Sequence, residues 1–543
     1  MIKGRRDLTE ERIAFSAQDP YLQKAELFLL FAVLSLGVLA RIIYISQPFV
    51  DAWSWRQADV AMISENFYLH GFNIFYPQIN WAGNSPGYVG TEFPLVPFIV
   101  SLLYLVFGVQ DWIGRSVSVL FFAFSVPFFY LFVRKISGER SAIFAVGVYA
   151  LAPLGIFAGR SFMPDMASLC FSIIALYLFT EWLHQKRVSL FAVACVAVSV
   201  AILVKLPAIL IGLPLVYLSW QAYGAKCVLR RELWIFAASS LFLPAVWYFH
   251  AYLISVYYFP HHMFGSQGIA IESLGVYEKI WQEAATSSLT PLVSTTMVFG
   301  IFAPSSEKYG RVFHWWLAAI LLFALLAGQG HYRHAWYLLP LVPVAAAFAG
   351  RAFDLALARI TPTYSKITAT VISIIFFSSL SYISFGYVEP LYTAWGMGSF
   401  DAGTEINRIA PPQALVIVAD GGDPTCLYYS RRKGWHFLEI FGNVPADDQQ
   451  AITELEKLRK QGGRYLVFSR YTMWWLDYYK DFRRYVDSGY QRVQQTPDFI
   501  IFDLVKAESA KRQLVPEPIS SPIRGLPPGV EEKEPTALGS SRL

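Results

Sequence analysis

Apolar stretches long enough to cross a bilayer recur from the start of this chain to about residue 385, and they restrict its fold more than any other feature. The first, ELFLLFAVLSLGVLARIIYI from Glu26 to Ile45, follows a charged leader. About 20 apolar residues in a helix cover the hydrocarbon core, and in lipid such a segment has to satisfy its backbone hydrogen bonds internally. No cleavage-site pattern follows the first stretch, so it reads as a retained anchor and not a signal peptide. Of the 543 residues, 55% are hydrophobic, 17% aromatic and only 15% charged, which is a membrane composition. A polytopic α-helical membrane protein is expected.

The charges between the apolar stretches set a topology. RKISGER (134–140), HQKR (184–187), KCVLRRE (226–232), EKYGR (307–311) and RAFDLALARI (351–360) carry the concentrated positive charge. The positive-inside rule places all five in the cytoplasm. Spans at roughly 24–45, 115–133, 141–157, 166–183, 189–205, 207–221, 233–255, 289–303, 313–328, 335–350 and 366–384 meet every placement, about eleven in all. They leave residues 1–23 as a cytoplasmic leader, 24–385 as the membrane domain, and the C-terminal region outside. FPLVPFIVSLLYLVFGV (93–109) does not fit as a further span without reversing the charge rule. It reads as a helix along the outer interface, inside an outer loop covering about 46–114. The net charge of +5 sits in short clusters between helices, which orient the chain in a membrane; no nucleic-acid partner is expected.

After about residue 395 the pattern changes. ALVIVADGGDPTCLYYSRRKGW reads as a strand, a turn and a short helix, DDQQAITELEKLRKQGGRYLVFS as an amphipathic helix and a second strand, and DFIIFDLV as a closing strand. A small extracytoplasmic α/β domain over 395–508 is expected, followed by a proline-rich, polar tail at 511–543 with no assigned structure. Cys170, Cys195, Cys227 and Cys426 lack metal-site spacing, and no disulfide framework is expected.

The candidate chemistry gathers on the outer side of this topology. Asp51 stands at the outer end of the first span, where a partly buried carboxylate can take a proton or hydrogen bond from a hydroxyl. Arg56 and Lys205 are placed to hold an anion; Trp53 and Trp55 offer flat apolar faces, with Asp59 one turn beyond. The bland reading of that cluster is an aromatic belt with solvated charges. Glu92 is a second carboxylate of the same loop, or a cap for the helix that follows it. Asp165 reaches the same face from another part of the chain, or caps the fourth span. Lys205, in LVKLP, is a phosphate clamp or a snorkelling lysine. GQGHYRHAWYLLPLVP adds His331, Arg333, His334 and Tyr337, suited to a phosphate or to anchoring at the interface. His331 and His334 lack a companion Glu-His pattern, and His261 and His262 are equally ambiguous, so no metal site is assigned and side-chain cations are preferred to a divalent metal.

DAWSWRQAD, NFYLHGFNIFYPQINW, GYVGTEFPLVPFIVSLLYLVFG, GRSFMPD, LVKLP and HAWYLLPLVP together resemble the bacterial GT-C membrane glycosyltransferases of the protein mannosyltransferase and lipid A aminoarabinose transferase superfamily, glycosyltransferase family 39-like, over about residues 20–385. The resemblance implies a sugar transferase of the cytoplasmic (inner) membrane that uses a polyprenyl phosphate sugar and acts on the extracytoplasmic side. It matches the family's acceptor-activating acid to Asp51, its second acid to Asp165, and its phosphate-contacting lysine and tyrosine to Lys205 and Tyr337. Two departures bear on the acceptor: Phe93 stands where aminoarabinose transferases carry a lysine, and Ala52 follows Asp51 where protein mannosyltransferases have a glutamate.

The implied reaction is a single, inverting displacement at the anomeric carbon. Asp51 would prepare the acceptor hydroxyl, with Arg56, Lys205 and Arg333 opposing charge on the leaving phosphate. The acceptor class stays open between an envelope glycan, a lipid and a protein. The alternatives are a transporter or flippase of a lipid-linked glycan, which needs polar groups near the bilayer midplane, and a glycan polymerase or ligase with related chemistry.

Overall fold

The computed structural model describes residues 20–265, 269–304, 307–360, 366–438 and 444–505. The leader ahead of residue 20 and the tail expected at 511–543 lie outside them.

A helix occupies the place of every expected span, among them Pro20–Ile42, Asp111–Ser137, Asp165–Gln185, Val188–Val204, Arg231–Tyr257 and Lys366–Val388. Among the described residues, six helices are long and apolar enough to cross a membrane, or eight if each of two bent pairs forms one span. Large apolar side chains stand out from them, for example Trp234, Phe242, Val246 and Phe249 on Arg231–Tyr257. Water would penalise such a surface and lipid does not. This is a multi-pass membrane protein.

Proline chemistry explains both bent pairs. Ala152 precedes Pro153 and is pushed to an extended backbone, so helices Glu139–Leu151 and Pro153–Arg160 meet at 61°. Thr290 precedes Pro291 with a positive φ of 77°, and its hydroxyl accepts the Val293 N–H as an N-cap where the pair turns by 106°.

Two boundaries differ from expectation. RAFDLALARI is no polar turn, because helix Leu341–Ile360 runs through it. Its charges stay helical by pairing with the neighbouring helix start: Asp354 accepts from Ser141 at 2.9 Å and pairs with Arg140 at 3.4 Å. The loop over 46–114 is also more ordered than its sequence suggests, holding the largely buried helix Ser54–His70 and the 13-residue helix Leu95–Phe107. The second rises about 20 Å, too short to span.

The C-terminal region builds a five-stranded mixed sheet in the order β2-β1-β3-β5-β4, from β1 (Leu415–Ala419), β2 (Gly434–His436), β3 (Gly463–Ser469), β4 (Gln491–Gln495) and β5 (Phe499–Asp503). β1 is parallel to β2 and β3, whereas β5 is antiparallel to β3 and β4. The sheet shares an apolar core with the loop over 46–114, where Ile79, Val89 and Val96 join Val416, Leu427 and Ile501. Backbone bonds close the join: Gly83 N donates to the Gly434 carbonyl at 2.7 Å and Gly434 N to that of Asn80 at 2.9 Å.

Gly434 is required there by close approach, since an added Cβ would collide with the Val416 carbonyl oxygen of the neighbouring strand. Gly434→Ala is therefore expected to destabilise the protein by about 3 kcal/mol, the upper range for forced overpacking. Thermal unfolding in detergent checks this, and an unchanged midpoint would show that β2 gives way freely.

Candidate active site

A proline places the first part of the site. Pro207 has no N–H for the Leu203 carbonyl, so helix Val188–Val204 stops and Lys205 takes an extended backbone. The orphaned Leu203 carbonyl instead accepts from Phe93 N at 2.8 Å and from the Tyr248 hydroxyl at 3.1 Å. That substitution pins the Glu92–Phe93 turn against Lys205.

Four charged side chains then meet. Arg56 Nη2 donates to both Glu92 oxygens at 3.0 and 3.2 Å, and Lys205 Nζ lies 3.5 Å from Glu92 Oε1 and 3.1 Å from Asp165 Oδ1. All four are buried, at 6–9% exposure, and their charges sum to zero, as burial demands. Burial alone would push Glu92 up; Arg56 and Lys205 outweigh it and hold the carboxyl down at about 2. Asp165 Oδ2 keeps no hydrogen-bond partner among the described residues.

Lys205 and Asp165 sit at the head of an apolar cavity walled by Leu169, Ile211, Ile320, Phe323 and Leu339. Tyr337 lines it too, its ring centroid 5.1 Å from Lys205 Nζ. The arrangement sets a buried ammonium, paired with two carboxylates, at the mouth of an apolar cavity.

Asp51 lies elsewhere. Its Oδ2 accepts from Arg115 at 2.8 Å and Arg160 at 2.9 Å, and its Oδ1 from Gln57 at 2.6 Å. Gln57 Oε1 in turn accepts from Arg115 Nε at 3.2 Å and Phe162 N at 3.1 Å. Asp51 is 1% exposed, and both arginines are fully buried. With both oxygens hydrogen-bonded, this carboxylate ties three chain segments together by charge.

The aromatic residues divide similarly. Trp53 is core, edge-on to Phe157 at 4.7 Å and Trp336 at 5.1 Å, and not an open platform. Trp55 packs 5.6 Å from His334, which stacks on Trp336 at 4.7 Å beside the cavity. His331 is fully buried, its Nδ1 3.0 Å from the Ala327 carbonyl and its ring against Phe323 and Tyr337. Arg333 is exposed and does not join the four-charge group. Glu92 and Asp165 make ion pairs in place of the side-chain caps considered for them.

Asp59 lies one turn beyond Arg56 and accepts from Trp81 Nε1 at 3.2 Å. Burial pushes its carboxyl up to about 7, against the pull of Arg56 and Trp81. The Trp81 ring lies 5.2 Å from that of His262 and 5.4 Å from that of His436 in the C-terminal sheet. Arg115, Gln57 and His436 escape a reading of the sequence. Only Arg115 left a trace, as an arginine inside the start of an apolar helix. Among the described residues, no group of three or more His, Cys, Asp or Glu is placed to hold a metal ion.

Residues 90–249, which include Glu92, Asp165 and Lys205, match the family model of dolichyl-phosphate-mannose-protein mannosyltransferase. The whole fold is similar to that of ArnT from Cupriavidus metallidurans bound to undecaprenyl phosphate, with a TM-score of 0.61 over 90% of this chain and 99% of that one at 14% identity. The fold is of the GT-C type. A second GT-C likeness is to the archaeal oligosaccharyltransferase AglB from Archaeoglobus fulgidus, in complex with an inhibitory peptide and a dolichol-phosphate, at TM-score 0.54 and 11% identity, covering 89% of this chain and 74% of that one. At these identities the likeness is one of fold. An uncharacterized protein of Aquifex aeolicus is 29% identical over 165 residues, 30% of this chain and 33% of the length of that relative.

Proposed function

We propose that this protein transfers a sugar from a polyprenyl phosphate sugar to an acceptor on the extracytoplasmic side of the cytoplasmic membrane, inverting the anomeric carbon. The observation that carries this reading is the Lys205 ammonium, paired with Asp165 and Glu92, at the head of the apolar cavity. Undecaprenyl phosphate in ArnT and dolichol-phosphate in AglB are ligands of the matching chemistry, an anionic head on an isoprenoid chain.

In the reaction an acceptor oxygen forms a bond to the anomeric carbon as the bond from that carbon to the phosphate oxygen breaks. The electron pair leaves with the phosphate, the acceptor proton passes to a carboxylate, and the products are the glycosylated acceptor and polyprenyl phosphate. Lys205, Arg56 and the Tyr337 hydroxyl oppose the charge that grows on the phosphate. Arg333 is left out because it is exposed. The acceptor is an envelope glycan, lipid or protein. About eleven spans, a cytoplasmic N-terminus and an outer C-terminal α/β domain at 395–508 complete the arrangement we propose.

The test is lipid mass spectrometry on membranes from otherwise identical cells carrying the wild-type protein, no protein, or Lys205→Ala. One polyprenyl phosphate sugar should accumulate equally in the last two. Equal pools in all three would remove the transferase reading.

A further inference from the structure

The strongest polar cluster outside the cavity lies where the C-terminal sheet meets the outer-loop helix Ser54–His70. His436, the last residue of β2, has Nδ1 2.9 Å from Asp420 Oδ1, just past the end of β1. Gly422 N donates to that same oxygen at 2.9 Å. Asp420 Oδ2 is left buried with no partner among the described residues, and so is Oδ2 of Asp59, whose Oδ1 accepts from Trp81. Asp59 is 1% exposed and Asp420 4%. An unpaired buried carboxylate oxygen costs about 1–3 kcal/mol or more, and two joined through Trp81 and His436 mark a place where a ligand supplies the missing donors.

The cluster also continues from the phosphate site. Lys205 leads to Glu92 and Glu92 to Arg56; Asp59 is one helical turn on, and the Arg56 guanidinium lies 4.9 Å over Phe264, which packs at 6.4 Å against Trp81. A group transferred from a phosphate at Lys205 thus has an acidic, donor-seeking site next to it. The Gly83–Gly434 and Gly434–Asn80 backbone bonds hold β2 against the loop that carries Trp81.

We propose that Asp59 and the His436–Asp420 pair form the acceptor subsite, taking a hydroxyl of the acceptor, so that the C-terminal sheet supplies half of it. This rests on the transferase reading above. As the acceptor oxygen bonds to the anomeric carbon, its proton passes to Asp59, and the bond to phosphate breaks with its electron pair leaving on the phosphate. A carboxyl pushed to about 7 suits that task better than Glu92, held near 2 and saturated by two cations.

The experiment has two readouts on Asp59→Asn, His436→Asn and Lys205→Ala. The first is the polyprenyl phosphate sugar pool in cells; the second is binding of undecaprenyl phosphate, used as the probe, to each purified protein by native mass spectrometry. Asp59→Asn and His436→Asn should lose about a hundredfold in turnover. Their pools then rise to the level of cells without the protein, while undecaprenyl phosphate still binds as to wild type. Lys205→Ala should lose both. A normal pool in His436→Asn overturns the acceptor subsite alone. Loss of undecaprenyl phosphate binding in His436→Asn overturns it too, because the residue then supports the donor side or the fold. Pools indifferent to the wild-type protein itself overturn the transferase reading and this inference with it.

Discussion

Asp51→Asn is expected to destabilise the folded protein by about 3–5 kcal/mol, the cost of leaving a buried ion-pair partner uncompensated. The asparagine keeps the shape and one acceptor oxygen but removes the charge that faces Arg115 at 2.8 Å and Arg160 at 2.9 Å. Both guanidiniums are fully buried, and no other carboxylate is paired with either among the described residues. Backbone carbonyls of Gln47, Pro48 and Tyr44 hold them in place but bring no negative charge. Thermal unfolding in detergent should therefore show a lower midpoint and membranes a lower abundance. Adding Arg160→Gln to Asp51→Asn should recover part of the loss, which a double-mutant cycle measures. An Asp51→Asn protein with wild-type midpoint and no transfer would give Asp51 the catalytic role that its sequence position suggests.

Glu92→Gln is expected to cost on the order of 3 kcal/mol near neutral pH, the equivalent of holding that carboxyl at about 2 where 4.5 is ordinary. The sign follows from the depressed value. The stabilisation is fully present above about pH 4.5 and is lost as pH falls through about 2. The difference in unfolding midpoint between wild type and Glu92→Gln should thus be flat from pH 7 down to about 5 and shrink below. Because Arg56 and Lys205 then lack their shared anion, added undecaprenyl phosphate should raise the midpoint of Glu92→Gln by more than that of wild type. A constant difference at all pH values would mean that Glu92 acts through packing and not through charge.

Much of the helical scaffold was legible because membrane burial is a local signal: each apolar stretch has to become a helix whatever its neighbours are. The end of helix Leu341–Ile360 was misread for the complementary reason. Arg351 and Asp354 look like a polar turn in isolation, yet Asp354 has Ser141 and Arg140 to bond with from more than 200 residues away. The site was legible in part. Lys205, Glu92, Arg56, Asp165 and Tyr337 stand out as polar residues beside apolar runs, whereas His436 sits in a strand with nothing to connect it to Trp81.

By itself, then, the sequence determined a helical membrane chain with charges gathered at helix ends, since hydropathy and the cost of unpaired backbone groups act residue by residue. Only the tertiary structure decided which charge meets which. It gave Asp51 to two distant arginines and Lys205 to Glu92 and Asp165 at the head of an apolar cavity. The physical reason is that a buried charge is tolerated only beside its counter-charge, and that partner is chosen by proximity in space and not by proximity along the chain.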